Sequence, residues 1–283
     1  MTHAGIYLPN YGPAPDPRRV PVYAQAGLEH GWDGIFLYDQ TVMEHFGEGS
    51  AYDPWTVMAA VAESVPDIAI GITVTPPGRK HLGQLAQQAA TLQRLSGGRL
   101  IIGLGLGEDA DYTAFGSRMC NRERAAWEQL ALDLLPRWWH GETLTGEFTA
   151  AAAGWNVSLT LDRARIGPPL ASPPQLWVGC GQRTIAAVRR AASSGADAVF
   201  ALRLTPEWDT AAQLDPADYA RLAEAARAAR PDGPPLGFVT AGQTEPGGIA
   251  AAAKSYEGLA WWMETMEGRT DREVLDRITA GPA

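Results

Sequence analysis

The chain of 283 residues carries a formal net charge of −9, is 46% hydrophobic and 19% charged, and holds 31 Gly and 21 Pro. This is the balance of a folded protein with many tight connections; Lys and Arg are scattered without a basic block, which argues against a nucleic-acid partner, and no apolar run approaches the ~20 residues of a membrane span. Cys120 and Cys180 cannot build a disulfide framework, and no spacing of Cys with the five His suits a metal, so no metal is expected. The sequence enters a strand at once, with no basic and apolar leader, and the expected compartment is the cytoplasm.

In chain order, the first strand-like run is Ala4 to Asn10, with a helical pattern after Pro17. Gly34 to Asp39 reads as the second strand, and Asp53-Pro54 supplies a cap and a first-turn proline for the helix behind it. Ile68 to Pro76 with LAQQAATLQRL forms a third unit, and Leu100 to Gly107 with ERAAWEQLALDLL a fourth. Gln175 to Cys180 precedes TIAAVRRAASS, and Ala198 to Arg203 precedes PADYARLAEAARAA. Leu236 to Gly242 leads to a short GGIAAAAKSY, and Gly258 to Thr265 to DREVLDRI. Eight strand-helix units predict an α/β protein, a closed (β/α)8 TIM barrel forming a single domain over residues 1–283, with an open doubly wound sheet as the competing architecture. Residues 140–174 interrupt the rhythm between the fourth and fifth strands and are expected to form a lid or insertion.

Chemistry in such a barrel collects at the carboxyl ends of the strands. There, GCGQRT (Gly179, Cys180, Gly181, Gln182, Arg183, Thr184) ends the fifth strand and opens a helix, so its backbone N–H groups and Arg183 suit a phosphate; a plain glycine turn with an arginine cap is the competing reading. The glycines of GLGLGE alternate along a strand, so Gly105 and Gly107 clear volume for a bulky inner side chain or for a flat ligand. Asp39 orients a cofactor or transfers a proton, or else caps the next helix. Glu108 is a candidate acid in the pocket, although Glu108, Asp109 and Asp111 together read first as a solvated loop. Trp138-Trp139 and Trp261-Trp262 read as packing anchors.

GWDGIFLYDQ, YDPWTVMAAVAE, IAIGITVTPPGR, QAATLQRLSGGRLIIGLGLG, YTAFG, WWHGE, PPQLWVGCGQR, GLAWWMET and RITAGPA, in this order and spacing, resemble the bacterial luciferase-like monooxygenase family over nearly the whole chain. The resemblance implies a (β/α)8 barrel that binds FMN, or in a large branch the deazaflavin coenzyme F420, at its carboxyl face. By position it makes Gly179 to Thr184 the phosphate loop. It makes Thr73, Val74 and Thr75 the strand end that touches the isoalloxazine, often through a non-proline cis peptide. It sets Gly105 and Gly107 beside the ring, so the cleared space is expected to receive the flat cofactor.

One position departs from the pattern. Where many relatives carry Asp-His at the end of the second strand, this chain has Asp39-Gln40, and glutamine exchanges no proton near neutral pH. Gln40 can still hydrogen-bond a flavin or substrate oxygen, and His45 in the following loop is a possible substitute. The expected function is a flavin-dependent monooxygenase that takes reduced FMN from a separate reductase and uses O2 on a small organic substrate, with Asp39, Gln40 and Glu108 as catalytic candidates. Hydride transfer with the deazaflavin coenzyme is the alternative, and a non-catalytic flavin-binding protein a further one. A homodimer is expected from the resemblance.

Overall fold

The computed structural model describes residues 2–12, 16–42, 51–152, 154–181, 183–203 and 213–282. Eight parallel strands close on themselves in the order β1 (His3–Leu8), β10 (Leu259–Thr265), β9 (Gly237–Gly242), β8 (Ala198–Leu202), β7 (Gln175–Gly181), β4 (Leu100–Leu104), β3 (Ala69–Thr75) and β2 (Gly34–Leu37). The expected (β/α)8 barrel is therefore observed, and the open sheet is ruled out by the β1 to β10 pairing, His3 opposite Trp261. Each predicted strand is present, several of them shorter at the carboxyl end than the sequence suggests.

Outside the barrel run α1 (Val20–Glu29), α2 (Pro54–Ser64), α3 (Leu82–Leu95), α5 (Asn121–Trp139), α6 (Ile185–Ser193), α7 (Pro216–Ala229) and α9 (Asp271–Thr279), with shorter α4 (Asp109–Thr113) and α8 (Ile249–Ala253). Local chemistry starts several of them. Asp53 accepts from Thr56 N ahead of Pro54, Asp215 accepts from Ala217 N ahead of Pro216, and Thr270 with Glu273 completes a capping box.

Strand side chains alternate between two cores. Ile6, Ile35, Ile70, Ile102 and Val178 face the helices, whereas Tyr7, Phe36, Trp177, Phe200 and Met263 fill the barrel interior. Phe36 sits 5.4 Å from Trp177 and 5.3 Å from Trp261, centroid to centroid. Glycine at 34 makes this stack possible, since a Cβ there would stand 2.7 Å from the Phe36 ring. All four paired tryptophans are buried, in line with their reading as anchors.

Residues 140–174 hold two further strands. β5 (Leu144–Ala152) and β6 (Trp155–Ala164) make an antiparallel hairpin outside the barrel. α5 runs back along the barrel and delivers the chain to the amino-terminal face, where the hairpin is rooted. Trp138 Nε1 donates to Ala164 O at 3.3 Å, Arg137 lies over the Phe148 ring at 5.2 Å, and Leu170 N donates to Trp139 O at 2.8 Å. At this same face Asp33 Oδ2 accepts from Ala4 N and Asp197 Oδ2 from Leu176 N, both at 2.7 Å. A cavity of about 360 Å³ opens there between His3, Asp33, Asp67, Gln175 and Trp261. No helix among the described residues is long and apolar enough to cross a membrane.

Candidate functional site at the carboxyl face

Asp39 lies two residues beyond the end of β2 with its side chain 3% exposed. Lys80 Nζ is 3.1 Å from Oδ2, Arg79 pairs with Oδ1, Trp55 Nε1 donates to Oδ2 at 3.0 Å, and Thr75 Oγ1 donates to the same oxygen. Burial alone would raise its pKa; Lys80, Arg79 and the hydroxyl and indole donors outweigh burial, and the net shift is downward. Asp39 is an anchored carboxylate inside an ion network. The proton-transfer reading of this residue has no support in such surroundings, and neither does the helix-cap reading, because Asp53 is the residue that caps α2.

Gln40 is half-buried, and its backbone is held by Asn10: Asn10 Nδ2 donates to Gln40 O at 2.7 Å and Gln40 N donates to Asn10 Oδ1 at 3.3 Å. Its side chain has no partner among the described residues. His45 lies outside the described residues. Glu108 follows the Gly105-Leu106-Gly107 stretch after β4 and stands half-buried at the start of α4. The solvated-loop reading of its neighbours is half right. The Asp109 side chain is 85% exposed and reaches Arg124 at 2.8 Å, whereas Asp111 is buried and paired with Arg79 at 3.0 Å.

The alternating glycines make room first for neighbouring side chains. A Cβ on Gly105 would stand 2.8 Å from Val74 Cβ, and one on Gly179 would stand 2.8 Å from Val74 Cγ1. Gly103 makes the same allowance for Thr73. The cleared volume is thus filled by the Thr73 and Val74 side chains, which project from the end of β3 across β4 and β7; of the two readings the pattern allows, the bulky-side-chain reading is the one seen. The Thr73–Val74 peptide bond is cis. Gly107 has φ +69° and a Cβ there would meet Pro76 Cγ at 2.7 Å, so both conformation and space select glycine.

The GCGQRT stretch spans the end of β7 and the start of α6. Gln182 lies outside the described residues. Arg183 and Thr184 are exposed and have no side-chain partner among the described residues. Cys180 contributes backbone only: its thiol packs in the outer core and is pushed up to about 12 by burial, then by Glu128.

A tyrosine cluster that sequence reasoning missed completes the face. Tyr7 Oη donates to Thr73 O at 2.7 Å, the Tyr7 and Tyr38 rings are 4.1 Å apart, Tyr38 Oη lies 3.1 Å from Thr265 Oγ1, and Tyr11 Oη donates to Glu267 Oε1 at 2.9 Å. Burial raises the Tyr7 and Tyr11 pKa values well above the phenol range, so both stay neutral donors. Arg79 and Lys80 were equally overlooked, although two cations directly after the third strand adjoin the acid at the end of the second in any parallel barrel.

A closed (β/α)8 barrel defines the class, a TIM-barrel protein, and its buried polar groups gather at the carboxyl strand ends, the candidate face. The chain belongs to the luciferase-like monooxygenase family, whose model matches residues 2–280. Among known proteins it is 30% identical over 169 residues to an F420-dependent glucose-6-phosphate dehydrogenase of Nakamurella multipartita, a match covering 58% of this chain and 46% of that protein. It is 29% identical over 184 residues to the phthiodiolone/phenolphthiodiolone dimycocerosates ketoreductase of Mycobacterium kansasii, covering 64% and 45% respectively. The match spans less than half the length of these relatives. An F420-dependent secondary alcohol dehydrogenase solved with an F420-acetone adduct has the same fold, with a TM-score of 0.74 at 13% identity over 99% of this chain and 97% of that one. The monooxygenase RslO1 from Streptomyces bottropensis follows at 0.72 and 15% identity, over 98% and 96%.

Proposed function

We propose that this protein is a two-electron oxidoreductase that binds a flavin-type coenzyme over the carboxyl end of its barrel and acts on a small organic substrate, with the deazaflavin F420 as the coenzyme. The observation that carries the reading is the donor set left over at that face. Among the described residues Thr73 Oγ1 is buried without a hydrogen-bond partner, and the Arg183 and Thr184 side chains have none at the start of a nine-residue helix. A buried unpaired hydroxyl at one end and a cation with free helix N–H groups at the other fit a ring with a polar edge and a phosphate tail. F420 takes precedence over FMN because the matched glucose-6-phosphate dehydrogenases are named for it.

When bound, the coenzyme supplies hydride carriage to or from the substrate. In this reading Thr73, Val74, Thr75, Gly105 and Gly107 border the ring, and the backbone of Gly179 to Thr184 with Arg183 holds the phosphate. Gln40 offers a neutral amide to a ring or substrate oxygen. Asp39, ionised and clamped, orients the strand end, which leaves Glu108 as the group that moves a proton. The Tyr7, Tyr11 and Tyr38 rings roof the interior and keep water from the barrel.

The second reading is a monooxygenase that takes reduced FMN from a separate reductase, and the family's own description favours it. Fluorescence titration of the purified protein with F420 and with FMN separates the two. Saturable uptake of F420 alone is expected; uptake of FMN alone establishes the second reading, and uptake of neither overturns both. A protein that takes up coenzyme yet shows no oxidation or reduction of it across a panel of alcohols, ketones and O2 would be a binding protein.

A further inference from the structure

One guanidinium laces together the ends of three consecutive barrel strands. Arg79 stands in the turn after β3. Its Nη2 donates to the Asp39 backbone oxygen at 2.8 Å as well as to the Asp39 carboxylate, and its Nη1 lies 3.0 Å from Asp111 Oδ2 and donates to Thr41 Oγ1 at 3.3 Å. The other Asp111 oxygen, on α4 behind β4, accepts from Thr41 N at 2.8 Å, Thr41 Oγ1 at 2.7 Å and Val42 N at 3.0 Å. From the opposite side Asn10, itself fully buried, holds both backbone groups of Gln40 and also donates to Tyr52 O at 2.8 Å.

The carbonyl of residue 39, both backbone groups of residue 40 and the amides of residues 41 and 42 are therefore all engaged by side chains from three other elements. The Gln40 side chain, in their midst, is not. Burying two carboxylates and a guanidinium carries a desolvation cost that makes such a network weak evidence for stability alone; it suits a demand for one fixed geometry. Half-buried and without a partner among the described residues, the Gln40 side-chain amide is the group this geometry leaves available.

We propose that Arg79 and Asp111 are positioning residues which, with Asn10, fix the backbone of residues 39–42 so that the Gln40 amide meets the coenzyme or substrate oxygen in a single orientation. The inference rests on the reading under Proposed function. It assigns the network a role exerted through Gln40, and that is what a double-mutant cycle measures.

Coenzyme affinity, read by fluorescence with F420 and with FMN, is compared in the full-length parent, Asp111→Asn, Gln40→Ala and the double variant. Asp111→Asn is expected to weaken binding about five- to tenfold when Gln40 is present and less than about twofold in the Gln40→Ala background. Equal penalties in both backgrounds overturn the proposal, because a merely structural effect does not depend on residue 40. Amide hydrogen exchange gives the second readout. Asp111→Asn should speed exchange at Gln40, whose amide bonds to Asn10, along with Thr41 and Val42; acceleration confined to Thr41 and Val42 overturns the proposal. If Asp111→Asn fails to fold, Thr41→Val removes one hydroxyl from the same network and is read the same way. A parent protein that binds neither coenzyme defeats the functional reading and the ligand assigned to Gln40, while the exchange at Gln40 still decides whether the network reaches that residue.

Discussion

The two ends of the barrel are closed by different chemistry. At the amino-terminal end single side chains hold nearby backbone groups: Asp33 accepts from Ala4 N of β1, Asp197 from Leu176 N of β7, and Arg99 donates to the Ser96, Ala62, Val65 and Ile68 carbonyls. At the carboxyl end the contacts are networks. Arg79 joins two buried carboxylates, and Glu264, fully buried near the end of β10, receives Thr244 N at 2.9 Å, Trp262 Nε1 at 3.1 Å and Arg277 Nε at 3.2 Å. A single side chain on backbone groups stabilises its own neighbourhood and can be lost singly. A network fixes several strand ends relative to one another, which is what a site assembled from different strands needs.

The largest effect that tests this contrast is expected from Arg79→Met, which leaves Asp111 buried without its cation. We expect a loss of about 3–5 kcal/mol in urea denaturation, the usual size for breaking a buried pair. A loss no greater than that of a surface substitution would dissolve the distinction between the two ends. Next comes Gly105→Ala, whose methyl group must displace Val74. We expect about 1–3 kcal/mol of overpacking, with Val74→Ala in the same chain restoring part of it. If Gly105→Ala melts normally and only coenzyme uptake is lost, the glycine faces ligand space after all.

Asp33→Ala, the amino-terminal counterpart, removes one acceptor and should cost about 1 kcal/mol while leaving coenzyme affinity unchanged. A shift in affinity would show that the two ends communicate. The smallest effect is expected in the acid limb. Because the folded pKa of Asp39 is lowered, its contribution is complete above the unfolded value of about 3.9 and fades as pH falls through the folded value. The melting-temperature gap between the parent and Asp39→Asn should therefore narrow as pH drops below the ordinary aspartate range; a constant gap would mean that the charge of Asp39 does not contribute.

The barrel was legible in the sequence because parallel strands buried on both faces announce themselves as apolar runs, and because Asp53-Pro54 and Asp215-Pro216 mark helix starts without help from tertiary structure. The hairpin was not: β5 carries Gly and a run of Ala where strand signals are weak, and the alternating apolar residues Trp155, Val157, Leu159 and Leu161 of β6 are the signal that could have found it. At the site, the strand ends were located, but the partners were not. Asp111 reads as solvated in a run of acids, and only the register of three neighbouring strands reveals that Arg79 reaches it. The alternating glycines state that volume is needed without stating whose, and Val74 supplies the answer from another strand.

The stack inside the barrel also has an optical consequence. Trp177 and Trp261, both buried, hold their ring centroids 6.0 Å apart at an interplanar angle of 55°. Indoles held in one asymmetric packing contribute signed bands to the near-ultraviolet circular dichroism. Those bands depend on fixed tertiary packing, so they fade as the interior loosens, even while the helices outside keep their far-ultraviolet signal. The protein thus carries its own chiroptical gauge of whether the floor beneath the site is still rigid.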